Sequence, residues 1–224
     1  MIKHHPSPEQ LVDYASGSMT MSHAYCVSAH LQFCETCRRN LQKCTEIGTQ
    51  LFSMTEANAL PVNDGELKES VLAMLDEEIK DEGLSEEANL SSENYSQKLK
   101  DVMDADYQQL DWSRVSPSIR LATLLHDKDG SQIALSRTQA GGKMPHHSHT
   151  GDEITVVLKG SFSDEDGLYS QGDFIFRDAH DKHSPIVTND GECICLMVLD
   201  APIQFTGFFT RWLNPLVRKH HAGH

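Results

Sequence analysis

The stretch His30-Leu31-Gln32-Phe33-Cys34-Glu35-Thr36-Cys37 spaces one imidazole and two thiols as H-x₃-C-x₂-C. On a helix, residues four apart share a face, so His30 and Cys34 can reach one ion, and Cys37 follows at the next turn. Zinc accepts imidazole nitrogen at roughly 2.0–2.1 Å and thiolate sulfur at about 2.3 Å, and a structural site closes with four ligands. His5, just ahead of the first helix, is a candidate fourth ligand, with His4 the neighbour able to replace it. Two buried cysteines beside a surface histidine would be the plainer reading. His30 upstream and the histidine pair at the amino end favour zinc.

A second set lies in Gly141-Gly142-Lys143-Met144-Pro145-His146-His147-Ser148-His149-Thr150-Gly151-Asp152-Glu153, with Gly160 beyond it. On a strand, His147 and His149 project from the same face because side chains alternate with period two. Glu153 follows a short Thr-Gly-Asp turn and can point into the same interior, while Gly160 ends that strand. The spacing G-x₅-H-x-H-x₃-E-x₆-G resembles the first cupin motif at every fixed position. The second cupin motif is partial: Gly172 and His183 fit, but Asp178, His180 and Val187 stand where Pro, Gly and Asn are usual. His183 is thus a candidate fourth ligand with His180 as an alternative, and His146, out of phase, is expected to face outward or to support a ligand. Three histidines and a carboxylate bind zinc or another divalent transition metal, and spacing does not choose among them.

The elements that must position these groups change character along the chain. Ser7-Pro8-Glu9-Gln10 carries a capping serine, a proline at the first helical position and a glutamine three residues after the serine. Leu11, Val12, Ala15 and Met19 follow on one face, a second helix spans about Thr20–Leu31, and a third carries Leu41, Cys44, Ile47, Leu51 and Phe52. A fourth has the stripe Leu67, Val71, Leu72, Leu75 and Ile79, backed by Glu66, Glu69, Asp76, Glu77 and Glu78. Beyond Trp112 come short strand-like runs: Ile119–Leu125, Gln132–Arg137, Glu153–Leu158, Asp173–Phe176 and Cys193–Leu199. The turn Asp127-Lys128-Asp129-Gly130 separates the first two. Such runs without long helices between them indicate a β barrel. The expected organisation is multidomain α + β. A small all-α zinc-binding bundle (1–80) leads through an acidic linker (81–108) to an all-β cupin (jelly-roll) barrel (109–215).

Residues 56–106 hold fifteen Asp/Glu against four Lys/Arg, within a net charge of −14 for the whole chain. That surface repels phosphate backbones, so direct nucleic-acid binding is not expected, but it suits a basic protein partner. It also has the composition of a solvated linker. No apolar run approaches the roughly 20 residues of a membrane span, and the amino end lacks a secretory signal, so a cytoplasmic location is expected. Six cysteines do not make a disulfide scaffold in a chain this long. Cys26 and Cys44 read as packing residues, and Leu213–His224 as a solvated tail. Cys193 and Cys195 share one strand face, either as small core residues or as a redox-responsive pair.

The amino-terminal histidine, H-x₃-C-x₂-C and four short helices together resemble the zinc-binding anti-sigma domain. His5-Pro6-Ser7-Pro8 running into Leu11-Val12-Asp13-Tyr14-Ala15-Ser16-Gly17 resembles the start of its ChrR-type branch. The resemblance implies that His5, His30, Cys34 and Cys37 hold one zinc, and it favours His183 beside His147, His149 and Glu153. It implies sequestration of an extracytoplasmic-function (group IV) sigma factor, with release under oxidative stress by singlet oxygen or organic peroxide. It implies no enzyme activity. The alternative is a cupin-type metal-dependent dioxygenase or isomerase.

Overall fold

The computed structural model describes residues 2–55, 68–70, 72–73, 107, 110–206, 212 and 214. Helix α1 (Pro8–Ser16) starts where the capping signal predicts. Ser7 Oγ accepts from Gln10 N at 3.2 Å, and Gln10 Oε1 accepts from Ser7 N at 2.8 Å. Gly17 closes it in the left-handed conformation, φ 73°. Helix α2 (Met21–Phe33) and helix α3 (Glu35–Met54) meet at Cys34, whose backbone is extended at φ −105°, ψ 101°. His30 and Cys34 therefore do not share one continuous helix. The chain turns at Cys34, which ends α2 and begins α3. Arg38 steadies the corner by donating to the Leu31 and Gln32 carbonyls left unpaired at the end of α2.

In the region of the expected fourth helix, Lys68, Glu69, Ser70, Leu72 and Ala73 are helical and exposed. The rest of that helix, the linker apart from Tyr107, and the tail beyond Asn214 lie outside the described residues.

The barrel is built of antiparallel pairs. Its strands are β1 (Ser113–Arg114), β2 (Ile119–His126), β3 (Gln132–Thr138), β4 (His147–Ser148), β5 (Glu153–Lys159) and β6 (Ser161–Asp164). They continue with β7 (Gly167–Ser170), β8 (Phe174–Arg177), β9 (Lys182–His183), β10 (Ile186–Val187), β11 (Cys193–Leu199) and β12 (Gln204–Phe205). The main sheet has the order β1-β2-β3-β11-β5-β8, and two smaller sheets run β10-β6-β7 and β12-β4-β9.

The main sheet is covered on both faces, which is why β5 and β11 are almost wholly buried. Ile133, Leu135, Ile154, Val156, Leu158, Ile194, Leu196 and Val198 form one cluster with Tyr25, Cys26, Val27, Ala29 and Leu31 of α2. The alternate residues Val157, Cys193 and Cys195 turn inward to Phe162, Tyr169, Ile175 and Val187. Helices and barrel thus share a core, with α2 sandwiched between them. Helix α3 buries only Cys37.

Candidate metal centres

The first centre assembles where the α2–α3 corner meets the amino-terminal arm. His30, Cys34 and Cys37 are buried, and His5 approaches from the solvent side. His5 Nδ1 lies 3.3 Å from Cys34 Sγ and 3.4 Å from Cys37 Sγ. One ligand atom from each of the four lies within 4.8 Å of the others. Zinc bond lengths place tetrahedral N···S edges at about 3.5 Å, so this spacing fits a single ion.

His30 supplies a sharper test. Its Nδ1 donates to Gly172 O at 2.7 Å, which leaves Nε2 buried with no hydrogen-bond partner. A bare buried nitrogen facing two sulfurs is costly unless a cation sits among them. Burial first, then the neighbouring His5, lowers His30 to about 4 against the opposing Gly172 hydrogen bond, so the ring is neutral as a ligand must be. Burial, then Cys34, pushes the Cys37 thiol up to about 12. Cys37 therefore sheds its proton only for a positive charge. Cys34 Sγ also accepts from Cys37 N at 3.4 Å, which sets sulfur at the amino end of α3, where the helix dipole favours negative charge. His4 does not join this group. Its ring packs on Tyr169 at 4.7 Å, so His5 is the arm's contribution.

The second centre lies inside the barrel. His147, His149, Glu153 and His183 are all buried and mutually close. The pairing of β4 with β9 sets His147 opposite His183. His183 Nε2 is 3.0 Å from His147 Nε2 and 3.2 Å from His149 Nε2. His147 Nδ1 donates to Pro145 O at 2.9 Å, and His183 Nδ1 donates to Asp164 Oδ2 at 3.1 Å. With those protons committed outward, two bare Nε2 lone pairs face each other, an arrangement that a shared metal ion satisfies. Glu153 Oε2 is 3.1 Å from His149 Nδ1, and Glu153 Oε1 accepts from Thr155 Oγ1 at 2.9 Å. Burial lowers His147 to about 4, despite Glu153, and lowers His149 by the same cause. Both groups can hold a metal ion, and their chemistry fits one.

His180, the alternative to His183, is exposed in a turn with its backbone N–H on Asp178. His146 faces outward onto Thr206, as its phase predicts. Cys193 and Cys195 point inward with sulfurs 3.6 Å apart and remain free thiols. They line a cavity of about 200 Å³ walled by Met144, Phe162, Met197 and Phe205, with His147, Glu153 and His183 at its side.

The sequence reading missed the residues that hold the ligands. Asp164 joins His183 to Arg177, whose Nη2 reaches Asp164 Oδ2 and Tyr169 Oη, each at 2.8 Å. Burial opposes ionisation of Asp164, but the contacts with His183 and Arg177 win and keep its carboxyl below the usual range. Asp173 and Gly172, on the turn before β8, hold the amino-terminal arm and His30. The sequence signal for this role was small: an acidic residue after a glycine at the mouth of a strand.

A His/Cys tetrad at a helical corner, laid over a cupin-type barrel with three histidines and a glutamate, defines a class of protein with two groups able to hold a metal ion. The family model for the ChrR cupin-like domain matches residues 101–202. The anti-sigma-E factor ChrR of Cereibacter sphaeroides is 31% identical over 97% of this chain and 99% of its own length. The crystal structure of Rhodobacter sphaeroides SigE in complex with the anti-sigma ChrR matches with a TM-score of 0.70 and 28% identity. That match covers 89% of this chain and 99% of the other. This chain belongs to the ChrR family.

Proposed function

We propose that this protein is an anti-sigma factor that sequesters an extracytoplasmic-function (group IV) sigma factor in the cytoplasm and releases it under oxidative stress. The supporting relatives are an anti-sigma factor by name and a ChrR solved in complex with SigE. The observation that carries the reading is the outer face of α3. Cys44, Ile47, Leu51 and Met54 recur at helical spacing, and Leu51, Phe52 and Met54 are 62%, 82% and 79% exposed. An apolar stripe left open along a polar helix marks an interface. The helix that carries it starts at the corner that the metal ligands hold, so the ion sets the angle at which the stripe is presented.

Zinc in the tetrad of His5, His30, Cys34 and Cys37 supplies a redox-inert tetrahedral junction. Around it, Cys34 fixes the corner, His5 ties the arm to it, and His30 ties it to the barrel. In the barrel, His147, His149, Glu153 and His183 hold zinc or another divalent metal beside the cavity. The oxidisable groups there are the ligand imidazoles, Cys193, Cys195, Met144 and Met197. In this reading the helical unit, residues 1–80, inhibits, and the barrel, residues 109–215, senses singlet oxygen or an organic peroxide without turning over a substrate. The acidic stretch between them steers the basic partner. No described helix is long and apolar enough to cross a membrane.

The test is binding of the full chain to its sigma factor with Leu51→Asp and Phe52→Asp combined. Two exposed anchors lost at a protein interface cost about 3 kcal/mol or more, which is at least roughly a 100-fold weaker Kd. Metal content and thermal stability stay at the wild-type level, because neither side chain is packed. An unchanged Kd sinks the assignment of α3 as the binding face.

A further inference from the structure

Two of the four amino-terminal metal ligands, His5 and His30, are tied to one turn of the barrel. Asp173 Oδ1 accepts from Lys3 N at 2.7 Å and from His4 N at 3.0 Å, while Asp173 Oδ2 accepts from Ser170 N at 2.8 Å. His4 O in turn accepts from Phe174 N at 3.0 Å, so the arm lies along the entry to β8. Two successive N–H groups clamped by one buried carboxylate fix the backbone immediately before His5. On the other side, the Gly172 carbonyl takes the Nδ1 proton of His30 and leaves Nε2 as the lone pair facing the sulfurs. The Phe174 and His30 rings meet edge-to-face with centroids 5.8 Å apart.

Gly172 itself is fitted to this role. It sits at φ +90°, and a Cβ there would meet the Ile2 side chain at 2.6 Å and Phe33 Cβ at 2.9 Å. The arm and the end of α2 close over the turn at a distance only glycine allows.

We infer that the Gly172–Asp173 turn of the barrel is a positioning element of the amino-terminal metal centre, with Asp173 aiming His5 and the Gly172 carbonyl setting the tautomer and direction of His30. The centre is then composite: the helices and arm carry its ligands, and the barrel aims two of them. A disturbance of the barrel that reaches β7 or β8 loosens the amino-terminal ion without touching a ligand. The partner protein need not be present for the effect. The inference rests on the reading that the tetrad holds zinc.

The experiment uses the full zinc-loaded chain and follows zinc transfer to a chromophoric chelator. Cys34→Ser/Cys37→Ser identifies the phase that belongs to the amino-terminal centre. Asp173→Ala is expected to accelerate that phase about 10–100-fold, the usual effect of losing a ligand's orienting partner, and to leave the barrel phase within about twofold. Cobalt substituted at the tetrad reports the same change as an altered ligand-field spectrum. Lys3→Pro removes one donor from the arm and leaves every barrel residue in place, so it tests the clamp even where Asp173→Ala folds poorly; it accelerates the same phase several-fold. Release from both variants at the wild-type rate overturns the inference and spares the zinc reading. A Cys34→Ser/Cys37→Ser chain that holds as much zinc as the wild type overturns both.

Discussion

Val27 lies at the seam between α2 and the main sheet, fully buried in the cluster that joins helix and barrel. Truncating Val27→Ala removes two methyl carbons, worth about 1.6 kcal/mol in lost transfer energy at roughly 0.8 kcal/mol each. The cavity left under β5 and β11 adds to this, for a total of about 2–3 kcal/mol. With a urea m-value of about 2 kcal/mol/M, the midpoint falls by roughly 1 M. The assay is urea unfolding at fixed free zinc, because bound metal shifts apparent stability by mass action. It is followed by far-ultraviolet circular dichroism for the helices and, in a Trp212→Phe background, by the fluorescence of Trp112, which packs against the same cluster. Both signals shift together, since one core serves both parts. Val12→Ala, on the exposed side of α1, moves neither by more than about 0.5 kcal/mol. A helical signal that moves while the fluorescence transition stays put would refute the shared core and return helices and barrel to the status of independent bodies.

Two further outcomes follow from the same contacts. His23 Nε2 lies 3.0 Å from Asp200 Oδ1, and this hydrogen bond, opposed by burial, raises the His23 pKa above 6.5. A raised folded-state value means the latch contributes fully below the unfolded pKa and is lost as pH climbs through the folded one. The stability gap between wild type and His23→Gln therefore narrows as pH rises from about 6 to 9, as urea midpoints will show, and a constant gap refutes the latch. Removing the Asp164 carboxylate frees the His183 ring from the acceptor that fixes its tautomer. Asp164→Ala weakens the barrel metal by about 10–100-fold in chelator competition and leaves the tetrad's zinc in place; unchanged affinity would show that His183 needs no such partner.

The two candidate ligand groups were legible because coordination chemistry imposes spacing on sequence: two cysteines three apart, two histidines two apart, a glutamate after a short turn. Their identity left His4 against His5 and His180 against His183 open. The structure brings His5 and His183 into the two groups, while His4 is engaged by Tyr169 and His180 faces solvent. The strands of the main sheet were legible too, and Ile119–His126, Gln132–Thr138 and Cys193–Leu199 fall where the apolar runs predict. The hairpin of β6 and β7 was not, because its strands are short and mix Phe162 and Tyr169 with serines and aspartate. The break at Cys34 carries no glycine or proline; there the chain turns extended and the Cys34 sulfur caps the helix that follows. Least legible were the bonds from Lys3 and His4 to Asp173, which span 170 and 169 residues of chain. Yet a sign of the covering layer was present. Ile154–Leu158 and Cys193–Leu199 are apolar without alternation, as strands are when both faces are buried, and α2 is apolar around most of its circumference. An unalternating strand and an unsided helix each lack a solvent face, and the economical solution is for each to cover the other.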